Sequence, residues 1–225
     1  MKAWSYMATL SMLLLTACQQ DSENWQPNET GFLLLESVTA DVQHTTQADT
    51  RTVDPCFTVE ILREDGSPVH TYAPGELTTQ KIQLEAGTYQ LKTYSANYKE
   101  VWPSGEKGEP KYYKEQPCTI RPNQLNRVSM AIPMSNTAIS LQLPEGFQEW
   151  LPSYRFTVTQ GNRHVTLLHG ETLYVESHQA VGYTLSAENT DKEQHVASGK
   201  IDQPEANTHY EISYTLSTSS LLLSH

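Results

Sequence analysis

Along residues 57–61 the chain reads Phe-Thr-Val-Glu-Ile, apolar and polar by turns. Period two puts the apolar side chains on one face of a half-buried strand. Asp65-Gly66 then marks a tight turn before a second strand from Val69 to Tyr72. The same alternation returns at Tyr89, Leu91 and Thr93, and at Val128, Met130 and Ile132. Beyond residue 136 it recurs at Ile139–Leu143, Phe156–Val158, Val165–Leu167, Tyr183–Ala187 and Tyr210–Tyr214. No stretch sustains a helical period over three turns, and Gly and Pro interrupt the chain at short intervals. Short strands between such breaks predict an all-β protein built from sandwiches.

The two halves follow one order of motifs. Phe57-Thr58-Val59 is matched by Phe156-Thr157-Val158, and Gly87–Leu91 by Val181–Leu185. Ser95-Ala96-Asn97 answers Ala187-Glu188-Asn189, and Ile120–Val128 answers Ile201–Tyr210. Four matches in sequence predict an internal repeat. The reading is two tandem β-sandwich domains, residues 30–133 and 134–218, with a tail over 219–225 that extends the last strand or frays. Domains this small rely on aromatic residues for core area, with Tyr89, Tyr94, Tyr154 and Tyr183 as the expected contributors.

The first 17 residues are different. Lys2 precedes a short apolar run that ends Leu15-Thr16-Ala17-Cys18. The run falls short of the ~20 apolar residues that span a bilayer and has the form of a secretory signal peptide. Its end resembles the lipobox of bacterial lipoproteins, which implies lipidation (palmitate or a related acyl chain) at Cys18 and anchoring by several chains. Residues 18–29 are a polar tether. The acidic stretch after Cys18 resembles the surface-export signal of Bacteroidota lipoproteins, so the expected location is the outer membrane, lipid-anchored and facing the exterior.

Further pieces carry a family resemblance: Gly31–Leu35 as an opening strand, Thr50-Arg51-Thr52 before Phe57, Glu85–Tyr89, Tyr112-Tyr113, Met134–Ile139 and Tyr154–Thr159. Together they resemble a domain-of-unknown-function family of Bacteroidota lipoproteins related to fimbrillin-like proteins. The resemblance implies a tandem transthyretin-like sandwich, an outer-membrane lipid anchor and no known catalytic residues. It also raises strand complementation between chains, in which residues 31–38 are a removable first strand and Arg51 a processing site. An ordinary first strand with Arg51 in a loop is the plainer expectation.

Composition narrows the partners. With 15 Lys and Arg against 26 Asp and Glu, the net charge is −11. An acidic chain without basic clusters argues against nucleic acid. Cys56 and Cys118 are a candidate disulfide in an oxidising compartment, with two free thiols as the alternative. No nucleophile elbow, phosphate loop or zinc-protease motif occurs, and no metal or cofactor is expected. His164 and His169 would face opposite sides of one strand. The most suggestive surface stretch is the Gly- and Pro-rich loop carrying Tyr98, Trp102, Tyr112 and Tyr113. Such a loop can anchor a ligand or protein partner, although packing is the leading expectation for Tyr112 and Tyr113. The function expected is non-enzymatic binding or assembly at the cell surface, in association with fimbriae. The alternative is a glycan-binding lipoprotein of a nutrient uptake system.

Overall fold

A computed structural model describes residues 29–41, 57–76, 81–217 and 220–224. Cys18, Arg51 and Cys56 lie outside the described residues, so the lipidation and processing expectations stay with the sequence.

The described residues form 15 strands. The first seven are β1 (Thr30–Asp41), β2 (Phe57–Arg63), β3 (Pro68–Tyr72), β4 (Ile82–Glu85), β5 (Gly87–Ser95), β6 (Tyr113–Ile120) and β7 (Leu125–Pro133). They form two facing sheets, β4-β1-β7 and β3-β2-β5-β6. The second half contains β8 (Thr137–Gln142), a one-turn helix α1 (Phe147–Trp150), β9 (Ser153–Gln160), β10 (Arg163–Leu167), β11 (Thr172–Val175), β12 (Val181–Glu188), β13 (Gln194–Ile201), β14 (His209–Ser217) and β15 (Ser220–Ser224). Its sheets are β11-β8-β14-β15 and β10-β9-β12-β13. Adding seven to each strand number of the first sandwich reproduces the second, so the repeat seen as short motifs is a repeat of topology. Among the described strands only β15 has no counterpart; it turns back antiparallel along β14.

Each copy begins and ends in the same way. β1 pairs parallel with β7, and β8 pairs parallel with β14. Parallel neighbours cannot be joined by a hairpin. The chain instead crosses to the opposite sheet for β2 and β3, returns for β4, crosses again for β5 and β6, and returns for β7. The alternating side chains of both sheets meet in one core per sandwich. Leu33, Val59, Ile61, Leu91, Ile120 and Ile132 close the first, and Ile139, Leu141, Phe156, Leu185, Ile212 and Tyr214 belong to the second.

Register fixes which end of each sandwich is which. Pro133, Ser95, Phe57 and Asp41 lie at the end of the first sandwich that meets the second. Thr30, paired with Glu85, lies at the opposite end. In the second sandwich Thr137, Val175 and His209 lie at the junction. β8 runs away from it to Gln142, and residues 143–152 form the far tip. The start of the described chain and this tip are therefore at opposite ends of the tandem.

One expectation from the sequence changes. Tyr89 and Tyr183 are buried, and Tyr154 packs against the second core, but Tyr94 is on the outer face of β5. The reason is the period itself, since Tyr89, Leu91 and Thr93 take the inward positions and Tyr94 falls between them. Of the two cysteines read as a candidate disulfide, Cys118 is described. Cys118 is a free buried thiol, its ionisation pushed up by that burial. It shares a row with Tyr89 and Arg63, whereas Phe57 sits six residues further along β2. Cys56 lies outside the described residues, so its pairing with Cys118 stays an expectation of the sequence.

Gly31 is the tightest point of β1. A Cβ there would stand 2.1 Å from the Arg121 carbonyl oxygen and 2.9 Å from the Ile120 side chain. Gly31→Ala should therefore push β1 off its neighbours and cost about 1–3 kcal/mol in chemical denaturation. An unchanged midpoint would show that this approach is looser than described. The free thiol gives a second test. Alkylation of the denatured, unreduced protein should label Cys118 fully, and a Cys118 that reacts only after reduction would show that it is bridged.

Candidate functional site

The loop between β5 and β6 gathers the aromatic residues singled out in the sequence, and the fold sends them to three places. Tyr112 is in the first core, edge-on to Phe57 at 5.9 Å. Its backbone closes the base of the loop, donating to Ser95 Oγ at 3.0 Å and accepting from the Ser95 N–H at 3.1 Å. Tyr98 and Tyr113 stack on one another outside the sheet, 4.6 Å between centroids and 12° between planes. Tyr94 extends this group, its hydroxyl donating to Glu60 at 2.7 Å. Tyr113 donates to Glu115. Burial, then the Glu115 carboxylate, hold the Tyr113 proton more tightly than in a free tyrosine. The ring faces that Tyr98 and Tyr113 turn to each other are already occupied.

Trp102 goes to the junction between the sandwiches. The Lys111 ammonium lies 4.7 Å from its ring centroid and the Arg163 guanidinium 5.8 Å. Gly108 passes beneath the ring with φ +70°, and a Cβ there would come within 2.6 Å of the indole. Only glycine combines that conformation with that approach. From this anchor the loop runs along the second sandwich as a clasp. The Gly105 N–H donates to the His164 carbonyl at 2.9 Å, and the Tyr174 N–H donates to the Lys107 carbonyl at 2.8 Å. Arg163 donates to the carbonyls of Tyr174 at 2.7 Å and Glu106 at 2.6 Å. Lys107 pairs with Glu171.

Lys111 is the unusual residue, because lysine is almost never fully buried without a partner. Only 5% of it is exposed, yet its ammonium reaches Glu176 at 2.5 Å. Glu176 is half-exposed, so water still solvates the pair and limits its desolvation cost. Asn136, fully buried, completes the joint. Its Oδ1 accepts from the Lys111 N–H, and its Nδ2 donates to the Glu109 carbonyl, both at 3.0 Å. Asn207 reaches back from the β13–β14 connection, its N–H donating to the Asn136 carbonyl and its Oδ1 accepting from the Met134 N–H. The loop read from the sequence as a ligand platform is thus largely committed to joining the two copies.

The histidines do not converge. His164 lies under the clasp, with its N–H donating to Ser104 Oγ, while His169 lies past the end of β10 at the far tip. Among the described residues no group of three or more His, Cys, Asp or Glu is arranged to hold a metal ion. Sequence reasoning missed the junction because its signal is a pair of partners far apart in the chain. Asn136 and Asn207 each look like ordinary loop residues.

The fold has solved relatives. A fimbrial assembly protein from Parabacteroides distasonis superposes with a TM-score of 0.51 at 13% identity, covering 86% of this chain and 93% of that one. A candidate cell adhesion protein from Bacteroides eggerthii superposes with a TM-score of 0.51 at 8% identity, covering 89% of this chain and 96% of that one. At such identities the likeness is one of fold. No curated protein matches the sequence. One family model matches residues 29–221, the span of both sandwiches, and the chain belongs to that family, described as Domain of unknown function (DUF4493).

Proposed function

We propose that this protein is a non-enzymatic cell-surface lipoprotein, held in the outer membrane by acylated Cys18, that presents a binding surface away from the membrane. The observation that carries this reading is the placement of Thr30 and the 143–152 tip at opposite ends of a clasped tandem. A tether on the N-terminal side would hold the first sandwich near the lipid and carry the second outward. Fold likeness to proteins named for cell adhesion and fimbrial assembly agrees with such a role.

One observation favours assembly as a second reading. β1 is the central strand of β4-β1-β7 and contributes Leu33 and Leu35 to the first core. Cleavage after Arg51 would leave β1 held by its sheet contacts alone, and an extended strand from a second copy could replace it.

Cys18→Ala should abolish labelling by radioactive palmitate and move the protein from the membrane fraction to the soluble fraction. Label retained in that variant would refute the anchor. Membrane-impermeant cross-linking on intact cells should capture the wild-type protein. Capture only after the cells are broken would refute exterior display. A self-ladder appearing only after cleavage at Arg51 would support assembly by strand exchange.

A further inference from the structure

We propose that the far tip of the second sandwich, built on α1 and His169, is a binding site for a neutral glycan. This rests on the surface-binding reading and assigns it a place and a ligand class. The site is an open depression of ≈ 590 Å³ whose polar lining is Gln142, Glu145, Gln148, Glu149 and His169. That volume is within the range of small-ligand pockets, about 300–1,000 Å³.

Its walls are fixed by the fold. After β8 the chain turns through Pro144, and the Phe147 N–H donates to the Pro144 carbonyl at 3.1 Å. Phe147 is buried and meets Tyr154 edge-on at 5.7 Å, which pins α1 to the core. His169 is held on both sides. The Leu143 N–H donates to its Nδ1 at 3.0 Å, and its own N–H donates to the Tyr154 hydroxyl at 3.2 Å. An acceptor Nδ1 puts the proton of the neutral ring on Nε2, leaving that nitrogen a donor.

Apolar surface flanks this polar lining. Trp150, on the same helical turn, is 70% exposed, and Leu168, next to His169, is 57% exposed. They are two of the five large apolar side chains left exposed among the described residues, and neither sits in a core. An exposed indole on the same helical turn as Gln148 and Glu149 suits a sugar ring, which offers a C–H face for an aromatic and hydroxyls for polar groups. Charge selects among sugars. Glu145 and Glu149 accept hydroxyl protons, and the lining contains no Lys or Arg to receive a carboxylate or sulfate. A protein carrying −11 overall would add to the repulsion of an acidic polysaccharide. Neutral hexose or pentose chains are therefore the class that fits.

The test uses the full-length Cys18→Ala chain, purified without its lipid, in native gels cast with a galactomannan, a mixed-linkage β-glucan, an arabinoxylan or, as the acidic control, a polygalacturonan. At least one neutral polysaccharide should retard it. Trp150→Ala should weaken that retention about tenfold or more, as loss of a central aromatic anchor does. His169→Ala should weaken it less, and Tyr98→Ala should leave it unchanged. Trp150 is mostly solvent-exposed, so its variant should melt like the parent. No retardation by any neutral polysaccharide, retardation only by polygalacturonan, or equal retention in Trp150→Ala would overturn the proposal. The protein here is soluble, so failure of sugar binding would leave the anchor test on Cys18 untouched, and failure of that test would leave this one standing.

Discussion

Lys111 keeps its ammonium inside the junction of two sandwiches, and the surrounding groups make that tolerable. Glu176 supplies the counter-charge, Trp102 offers the electron-rich face of its ring, and Asn136 satisfies the lysine backbone. Glu176 is half-exposed, so water moderates the cost of holding the charge there. Because Lys111 belongs to the first sandwich's loop and Glu176 follows β11 of the second, the pair bridges the two copies. The same loop carries the backbone bonds to His164 and Tyr174, so ion pair, ring and backbone act on one interface.

This constraint gives the duplication its use. Two copies of a seven-strand plan joined by a short connection, residues 134–136, would otherwise be free to swing, since interfaces between domains of one chain permit relative motion unless they are extensive. The clasp makes the tandem a spacer with distinct ends. One end holds Thr30 and the turns around Glu85 and Arg121; the other holds α1, Trp150 and His169. The proposed lipid tether at one end and the proposed recognition surface at the other would use that asymmetry.

Much of the fold was legible in the alternation of side chains. Phe57–Ile61, Tyr89–Thr93 and Tyr183–Ala187 are strands with the faces that period two assigns, and the matched motifs of the two halves occupy equivalent strands. Asp65 serves the turn expected of it, accepting from the Ser67 N–H at 2.8 Å. What could not be read was whatever depends on residues distant in sequence. The aromatic loop looked like one platform, but Tyr112, Trp102 and the Tyr98–Tyr113 pair part company once β6 and the second sandwich are in place. The tip escaped notice for the opposite reason: Phe-Gln-Glu-Trp is too short to show a helical period, and only the burial of Phe147 shows that Trp150 is left outside.

The contacts of the clasp predict that the two sandwiches tumble as one body. Residual dipolar couplings of backbone amides, collected for strands of both sandwiches in one weakly aligned sample, measure this directly. Fitted separately, the two sandwiches should return the same alignment tensor in magnitude and orientation. Tensors that differ between them, with the second averaged toward smaller values, would mean that the copies move independently and that Lys111 does not hold them together.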